Sequence, residues 1–187
     1  MPEAVLLPHR PLGPALRRWR ALNRVKQAHA AELLGVAQST VSRWESGAQE
    51  MEAAQRGRVE ALVGARLTSS GDAALARLVR EHGRGAHLIC DGSHRLLALS
   101  QARRREFGCD ADQLMGRSLY PFITEELARV ETGLDELGWF DLASPPAVVA
   151  ETGANGSDLV PIRPGRCRLT RMILSDGTAA RLVETLT

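Results

Sequence analysis

The 187-residue sequence contains few cysteines and no long apolar run. The three cysteines, Cys90, Cys109 and Cys167, are far apart and odd in number, which indicates neither a disulfide framework nor the paired spacing of a zinc site. No segment approaches the roughly 18 to 20 apolar residues of a membrane-spanning helix, and the opening residues lack the pattern of a signal peptide. We therefore expect reduced thiols, no membrane partner and a cytoplasmic location.

The sequence also lacks the common motifs of catalysis. It contains no Walker phosphate loop, no HExxH zinc motif, no GxSxG nucleophile elbow and no paired-carboxylate spacing. Because nothing marks an active site, we expect a protein that is not an enzyme and that holds no metal.

Charge is distributed unevenly along a chain of ordinary globular composition, with 44% apolar and 25% charged residues. The length suits one or two modest domains. The formal net charge is only +2, yet residues 10–26 contain several arginines and a lysine and no acid. Such a segment raises the local positive potential and favours a polyanionic partner, with an ordinary solvated helix face as the alternative.

Apolar spacing predicts an all-α domain of four to five helices at 14–66. Residues 1–13 contain three prolines and no sustained period, so we expect a flexible arm there. After the arm, apolar residues recur at helical spacing, and Gly35 is expected to end one short helix before the next begins. The first predicted helix begins at Pro14, and the others are 27–34, 38–46, 51–66 and 72–82. The last of these lies in a connecting helix or linker that we expect at 67–85.

Beyond Gly85 the pattern changes to short β-rich runs around a helical middle, which predicts an α+β domain at 86–187. Two Asp-Gly pairs mark turns. In the middle, apolar residues recur at helical spacing behind Thr124, an expected N-cap that two glutamates follow. The predicted strands are 86–90, 94–100, 147–152, 166–174 and 178–186.

Residues 16–47, LRRWRALNRVKQAHAAELLGVAQSTVSRWESG, resemble the helix-turn-helix of phage repressor and Cro-type regulators, the XRE family. The resemblance is an ordered series of positions. Gln27 opens the second helix, Leu-Gly-Val at 34–36 forms the turn, and the third helix contains Gln-Ser-Thr-Val at 38–41 and Trp-Glu-x-Gly at 44–47. The family binds double-stranded DNA, so the resemblance implies a sequence-specific transcription regulator.

The residue types around the turn suit that role. Gly35 permits the positive φ that the turn demands, while Val36 and Val41 fill the angle between the two helices. The third helix is then held out from the body, so that its first residues reach base edges in the major groove. There the amide of Gln38 can pair bidentately with adenine and the guanidinium of Arg43 with guanine.

The resemblance implies roles for further residues. Gln27 occupies the position that fixes a phosphate at the start of the second helix. Arg20 and Glu45 match a structural ion pair that bridges the first helix to the end of the third. An ordinary exposed polar residue is the alternative at each DNA-binding position. The expected base-reading residues are Gln38, Ser39 and Arg43, and the full DNA-binding set adds Arg17, Lys26, Gln27, Thr40 and Ser42.

Three positions depart from the family pattern. Arg24 stands where glycine is frequent, Lys26 where a capping serine is common, and Ala30 where a leucine usually packs. The two basic residues loosen the cap but add positive charge beside the phosphates. Trp19 is larger than usual, and we interpret it as filling the space that Ala30 leaves. Trp44 is interpreted as a core residue rather than a DNA-stacking one, because an apolar residue precedes it by three positions.

Residues 94–122, HRLLALSQARRREFGCDADQLMGRSLYPF, resemble the PAS sensory fold. In that fold a strand is followed by short helices and a motif like Phe107-Gly108 and Leu114-x-Gly116-Arg117-Ser118. A helix and three strands then follow, in the order that the later segments show. The resemblance covers 86–187 and implies an antiparallel sheet in a domain for dimerisation or signal input.

No cofactor follows from this resemblance. The family often has asparagine where Ser100 stands and an aromatic residue where Cys109 stands, so pocket chemistry is not transferable. The cysteine of a flavin adduct would fall near Leu119, which disfavours a light sensor. Haem needs an axial donor, but no motif supports one. We expect no cofactor, with haem or another ligand as the alternative. The cysteines are expected to be small buried apolar groups, with redox sensing as the alternative. The available donors are His87, His94, Cys90 and Cys109.

Three consecutive arginines, Arg103, Arg104 and Arg105, do not extend the predicted DNA-binding surface. In a helix their side chains point in different directions. We expect an ordinary solvated surface there.

A homodimer is expected, because a single helix-turn-helix binds weakly whereas a dimer sets two reading helices about 34 Å apart on DNA. The apolar stripe of Leu75, Leu78 and Val79 and the PAS-like sheet are the candidate surfaces. The second domain's partner is a small molecule or a protein. The alternative function is a signalling adaptor whose PAS-like domain docks a protein partner while the basic domain adheres to DNA of any sequence.

Overall fold

The structure, a computed structural model, describes residues 12–142 and 144–186. The chain divides into a first unit that ends at Gly64 and a second that begins at Ala65. Most of the predicted arm at 1–13 lies outside the described residues; its last two residues, Leu12 and Gly13, are helical.

The first unit consists of four helices: α1 (Leu12–Leu22), α2 (Gln27–Leu34), α3 (Gln38–Glu45) and α4 (Ala53–Val63). Helix α1 begins two residues before the predicted start at Pro14. Gly13 lies so close to α3 that an added Cβ would be 1.9 Å from the carbonyl oxygen of Trp44. This start therefore depends on a tertiary contact that the local pattern does not show.

The core of the first unit is a cluster of apolar side chains from all four helices. Trp44 is only 2% exposed, which makes it a core residue. Trp19 is partly buried and packs against the same cluster, and Ala30 is fully buried. The buried members of the cluster are Leu12, Leu16, Ala31, Leu34, Val41, Trp44 and Val59.

The turn between α2 and α3 depends on Gly35. Its φ of +67° lies in the left-handed region, which a glycine adopts without a Cβ penalty. Its backbone N–H bonds back to α2, and Arg58 of α4 donates from Nη1 to the carbonyl oxygen of Leu34 at 3.2 Å. These contacts satisfy the end of α2 and fix where α3 begins.

The second unit is an α+β domain with a five-stranded antiparallel sheet in the order β2-β1-β5-β4-β3. The predicted fold class, an all-α domain followed by an α+β domain, is confirmed. In chain order the elements are α5 (Ser70–Arg80), β1 (Ala86–Cys90), β2 (Leu96–Leu99), α6 (Gln101–Glu106), 3-10 turns at Ala111–Leu114 and Tyr120–Phe122, α7 (Glu125–Gly133), β3 (Val148–Glu151), β4 (Arg166–Ile173) and β5 (Ala179–Leu186).

Both faces of the sheet are covered, as strand β1 shows. Leu88 and Cys90 pack on one side in a cluster that includes Val79 of α5. Ile89 points to the other side and packs in a cluster with Phe107 and Leu119. Because successive side chains of a strand alternate, a strand buried on both faces reads as a nearly continuous apolar run.

Helix α5 belongs to the second unit and carries the apolar stripe that was expected at a dimer interface. The residues of this stripe differ in their exposure. Val79 is 3% exposed and Leu75 is partly buried, and both pack on the sheet of their own unit. Leu78 is 63% exposed. The carboxylate of Asp72 accepts hydrogen bonds from the backbone and hydroxyl of Ser175, which ties the start of α5 to the β4–β5 turn. A dimer contact through α5 stays a prediction that rests on Leu78.

A buried ionic cluster joins the ends of several elements of the second unit. Asp91, 2% exposed, accepts from Nε of Arg181 at 2.8 Å, from Nε of Arg171 at 3.0 Å and from the indole of Trp139 at 3.1 Å. Arg181 also pairs with Glu131 of α7. Removing one member would leave an uncompensated charge in the interior, so the cluster fixes how these elements meet.

We expect Trp19→Ala to lower the free energy of unfolding of the first unit by roughly 3 to 5 kcal/mol, because a core aromatic would be replaced by a cavity. Urea unfolding of the full chain, followed by hydrogen exchange of amides in α1 to α4, measures this. Leu22→Ala is the control, since Leu22 lies on the same helix and is 54% exposed. A loss below about 1 kcal/mol for Trp19→Ala, in the range of surface substitutions, would refute the compensation for Ala30.

Candidate nucleic-acid interface

Helix α3 has one buried face and one polar face. Val41, Trp44 and Glu45 are buried, whereas Gln38 and Arg43 are exposed. Ser39 is also exposed, and Thr40 and Ser42 are half-buried. The helical period of 3.6 residues produces this division, so the polar side chains of α3 form a surface open to solvent.

The buried end of α3 is held by a bidentate ion pair with α1. Arg20 donates from Nε to Oε1 of Glu45 at 2.6 Å and from Nη2 to Oε2 at 2.8 Å, while its Nη1 bonds the carbonyl oxygen of Val25 at 2.8 Å. Glu45 is 8% exposed. Such fork-to-carboxylate pairs fix geometry as well as adding energy. The structure thus brings together Arg20 and Glu45, the two residues for which the resemblance implied an ion pair.

Glu45 is ionised at neutral pH. Burial alone would raise the pKa of its carboxyl group, but the hydrogen bonds from Arg20 and Gln27 outweigh burial and hold that pKa below its ordinary value. The charge on Glu45 keeps both partners in place.

Gln27 connects this ion pair to the first residue of α3. Its Nε2 donates to Oε2 of Glu45 at 3.0 Å, and its Oε1 accepts from Nε2 of Gln38 at 2.7 Å. The relay from Arg20 through Glu45 and Gln27 to Gln38 therefore runs from a partly buried salt bridge to an exposed amide. An amide held in this way presents its remaining polar atoms in a set direction.

Arg43 lies along the exposed face of α3. Its Nε donates to the carbonyl oxygen of Ser39 at 3.2 Å, which bends the side chain back toward the start of the helix. Arg43 therefore extends toward the same end of α3 as Gln38.

Basic residues flank this surface at α1 and at the turn before α2. Arg17, Arg24 and Lys26 are all exposed. Arg24 has a φ of +54°, the left-handed conformation that a side chain rarely adopts. This conformation explains why glycine is frequent at this position in the family. Lys26 is the N-cap of α2 and makes no side-chain capping bond, as its departure from serine implied.

The sequence did not reveal the contact between Gln27 and Gln38, because it assigned Gln27 to a phosphate alone. The available signal was that two glutamines open consecutive helices. It also gave no role to Arg58, whose bond to the end of α2 depends on the packing of α4. The positive charge of Arg17 acts on Glu45 of the relay. Contact of Arg17, Lys26, Thr40 and Ser42 with DNA stays a prediction.

Two of the candidate haem donors, His87 and His94, line one cavity of the second unit, and the two cysteines lie outside its lining. Cys90 is buried and its Sγ lies 3.3 Å from the backbone nitrogen of Ala65. His94 is buried with its Nε2 3.2 Å from a carboxylate oxygen of Glu131. Cys109 is partly exposed, and His87 lines a cavity. Burial raises the pKa of the Cys167 thiol to about 11, which disfavours a reactive thiolate there.

The expectation of a solvated surface at the three arginines is wrong for Arg103. Its guanidinium bonds Glu106, the carbonyl oxygen of Gly85 and Oγ1 of Thr185, and its side chain is only 14% exposed. Arg104 pairs with Asp112. Short helix α6 lies against the sheet, and this turns its third residue inward.

Residues 16–53 match the helix-turn-helix family model HTH_3. This part of the chain is therefore a helix-turn-helix domain of the XRE type, as its residue pattern implied. A comparison with curated proteins found no match.

Among solved structures, the chain is similar to the PAS domain of an HTR-like protein from Haloarcula marismortui, with 18% identity, a TM-score of 0.43, and coverage of 62% of this chain and 90% of that one. It is also similar to an RNA-binding light-oxygen-voltage receptor, with 14% identity, a TM-score of 0.43, and coverage of 94% and 59%. These values are low, and no role is taken from them. The order of elements in the second unit is the one that the PAS resemblance predicted, so the chain combines a helix-turn-helix domain with a PAS-like domain.

Among the residues that the structure describes, no helix has the length and apolar character needed to cross a bilayer. Within the same residues, no group of three or more His, Cys, Asp or Glu side chains is placed to hold a metal ion.

We expect Arg24→Gly to raise the free energy of unfolding by about 1 kcal/mol, because glycine relieves the left-handed backbone at this position. The measurement is the urea midpoint of amide protection in the first unit. Arg24→Ala is the matched control, since it removes the charge and keeps the strain. Equal stability of the glycine and alanine variants would show that the backbone at residue 24 carries no strain.

Proposed function

We propose that this protein is a sequence-specific DNA-binding transcription regulator that binds as a homodimer and inserts helix α3 into the major groove. Its second unit serves dimerisation or signal input. A cytoplasmic location follows from this role. The helix-turn-helix family of residues 16–53 supports DNA binding, and the dimer and the groove contact are our extension of it.

The observation that carries the proposal is the relay that ends at Gln38. An exposed amide on a flexible surface would have many orientations, and each would lose entropy on binding. Gln38 is instead bonded to Gln27, which is bonded to the buried Glu45. A preoriented amide at the start of an exposed helix suits the bidentate reading of an adenine edge.

The side chains around α3 suit the rest of a DNA contact. Ser39 is small and exposed, which lets the helix approach the bases. Arg43 supplies the fork that pairs with guanine. Arg17 and Lys26 supply positive charge for the phosphates, which give affinity and register without reading sequence.

The homodimer is proposed because one recognition helix buries too little surface for tight and specific binding. Leu78 of α5 is exposed and apolar, in a helix that directly follows the DNA-binding unit in the chain. A second copy of the chain is the occupant that we propose for it.

We expect Arg43→Ala to lower affinity for the preferred operator by about 5- to 150-fold, because a bidentate contact contributes roughly 1 to 3 kcal/mol of base discrimination. The operator is first identified by genome-wide mapping of bound DNA. Binding to this operator and to a scrambled duplex is then measured at several salt concentrations.

Two control variants separate specific reading from adhesion. Lys26→Ala should weaken binding to both duplexes about equally and lower the salt slope by about one. Arg105→Ala removes an exposed charge of the second unit outside α5 and should leave both affinities unchanged. If Arg43→Ala also weakened binding to both duplexes equally, or if the chain bound DNA of every sequence with the same affinity, the protein would be the sequence-independent adaptor instead.

We expect the chain, of 20.3 kDa, to scatter light as a species of twice that mass at micromolar concentration. Leu78→Glu should shift it toward the monomer, because a charge would be buried in the interface. Leu137→Glu is the control, since Leu137 is 58% exposed elsewhere in the second unit. A monomeric wild-type chain at this concentration counts against the dimer.

A further inference from the structure

The second unit contains a partly open cavity of about 90 Å³ between the sheet and the segments that follow β2. Most of its wall is apolar, with Phe107, Leu119, Phe122, Leu127 and Val183 among the lining residues. Five side chains add polar groups: His87, His94, Arg103, Glu131 and Arg181. An apolar pocket with a few polar groups is the usual form of a small-molecule site.

One side of the cavity is held rigidly by Asn155. Its Nδ2 donates to the carbonyl oxygens of Phe122 at 2.7 Å and Val160 at 2.8 Å, and its Oδ1 accepts from the backbone nitrogen of Ile162 at 3.0 Å. Phe122, Val160 and Ile162 all line the cavity. The wall is therefore formed in advance of any occupant.

Two polar atoms of the wall have no partner. His87 Nδ1 and Arg103 Nε are buried and lack a hydrogen bond among the described residues. The Nη atoms of Arg103 are bonded to Glu106, Gly85 and Thr185, so the direction of its Nε–H is fixed. A buried donor left without an acceptor costs about 1 to 3 kcal/mol, or more when it is charged. The Nε–H of Arg103 therefore favours an occupant that carries a hydrogen-bond acceptor, whereas Nδ1 of the neutral His87 ring donates or accepts according to its tautomer.

The charged groups of the wall are already paired. Arg181 lies between Asp91 and Glu131, and Glu131 also contacts His94. Arg103 pairs with Glu106. Burial, with smaller effects of Arg103 and His94, lowers the pKa of His87 well below its ordinary value, so its ring is neutral at pH 7. An anionic occupant would add an unbalanced charge to an apolar interior, which is costly.

We propose that this cavity binds a small neutral molecule with an apolar body and one carbonyl oxygen, which accepts a hydrogen bond from Nε of Arg103. A carbonyl oxygen has two lone pairs and no proton, which matches the unpaired Arg103 donor in a charge-balanced wall. This inference rests on the proposed signal-input role of the second unit and names the chemical class of the signal.

The volume limits the size of the occupant. A dry apolar cavity of about 150 Å³ holds the six carbon atoms of benzene, so in proportion 90 Å³ suits about four non-hydrogen atoms, and the open side of this cavity leaves room for a fifth. Haem and flavin are far larger and do not fit. Two or three ordered waters would also fit the volume, and the experiment must separate them from an organic occupant.

The experiment uses the full chain without DNA and three probes of matched size: butanone, propanoate and 2-methylbutane. Each is titrated to millimolar concentration while the ¹⁵N–¹H resonance of Arg103 Nε and the amide resonances of β1 and β5 are recorded by NMR. We expect saturable binding of butanone with a shift of the Arg103 resonance, and weaker binding of the other two.

Arg103→Lys should reduce butanone affinity by about tenfold or more, because it keeps the positive charge and removes the fixed donor. Arg105→Lys is the matched control, since Arg105 is exposed on the same helix and should change affinity little. If Arg103→Lys fails to fold, the wild-type Arg103 resonance alone decides the question.

Three results would overturn the proposal. Tighter binding of propanoate would indicate an anion site, tighter binding of 2-methylbutane would indicate a purely apolar one, and no binding of any probe would leave water as the occupant. Operator binding is measured separately on the same variants, so failure of the ligand proposal does not count against DNA recognition.

Discussion

The partly buried salt bridge between Arg20 and Glu45 is the interaction on which the proposed DNA-binding surface depends. It joins α1 to the end of α3. Glu45 also accepts a hydrogen bond from Gln27, which in turn accepts one from Gln38. A buried carboxylate needs partners for all its lone pairs, so Glu45 restricts two neighbouring side chains at once. The exposed end of α3 is thereby held in place by a carboxylate that is itself nearly buried.

Most of the fold of both units could be predicted from the sequence. Helices α2 and α3 and the turn at Gly35 follow from local apolar spacing and from the conformational freedom of glycine. Strand β1 agrees with its predicted bounds because turn residues mark its end. The start of α1 was misplaced because it depends on the close approach of Gly13 to Trp44, a contact between distant parts of the chain.

The interior of the second unit could not be predicted. Asp91, Arg171 and Arg181 are charged residues in or beside strands, and nothing local indicates that they meet in a buried cluster. Arg103 belongs to a run of arginines that composition assigns to solvent, yet α6 turns it inward. Pairing of buried charges is decided by tertiary structure, so the polar wall of the cavity emerges only from the fold.

The central claim is that the start of α3, as set by the relay, reads a base pair. The most direct measurement is a scan of every single base-pair substitution in the operator, with the wild-type chain and with Gln38→Ala. The account predicts that Gln38→Ala removes discrimination at one A·T pair in each half-site and preserves it elsewhere. Unchanged discrimination at every position, with or without the amide, would contradict the account.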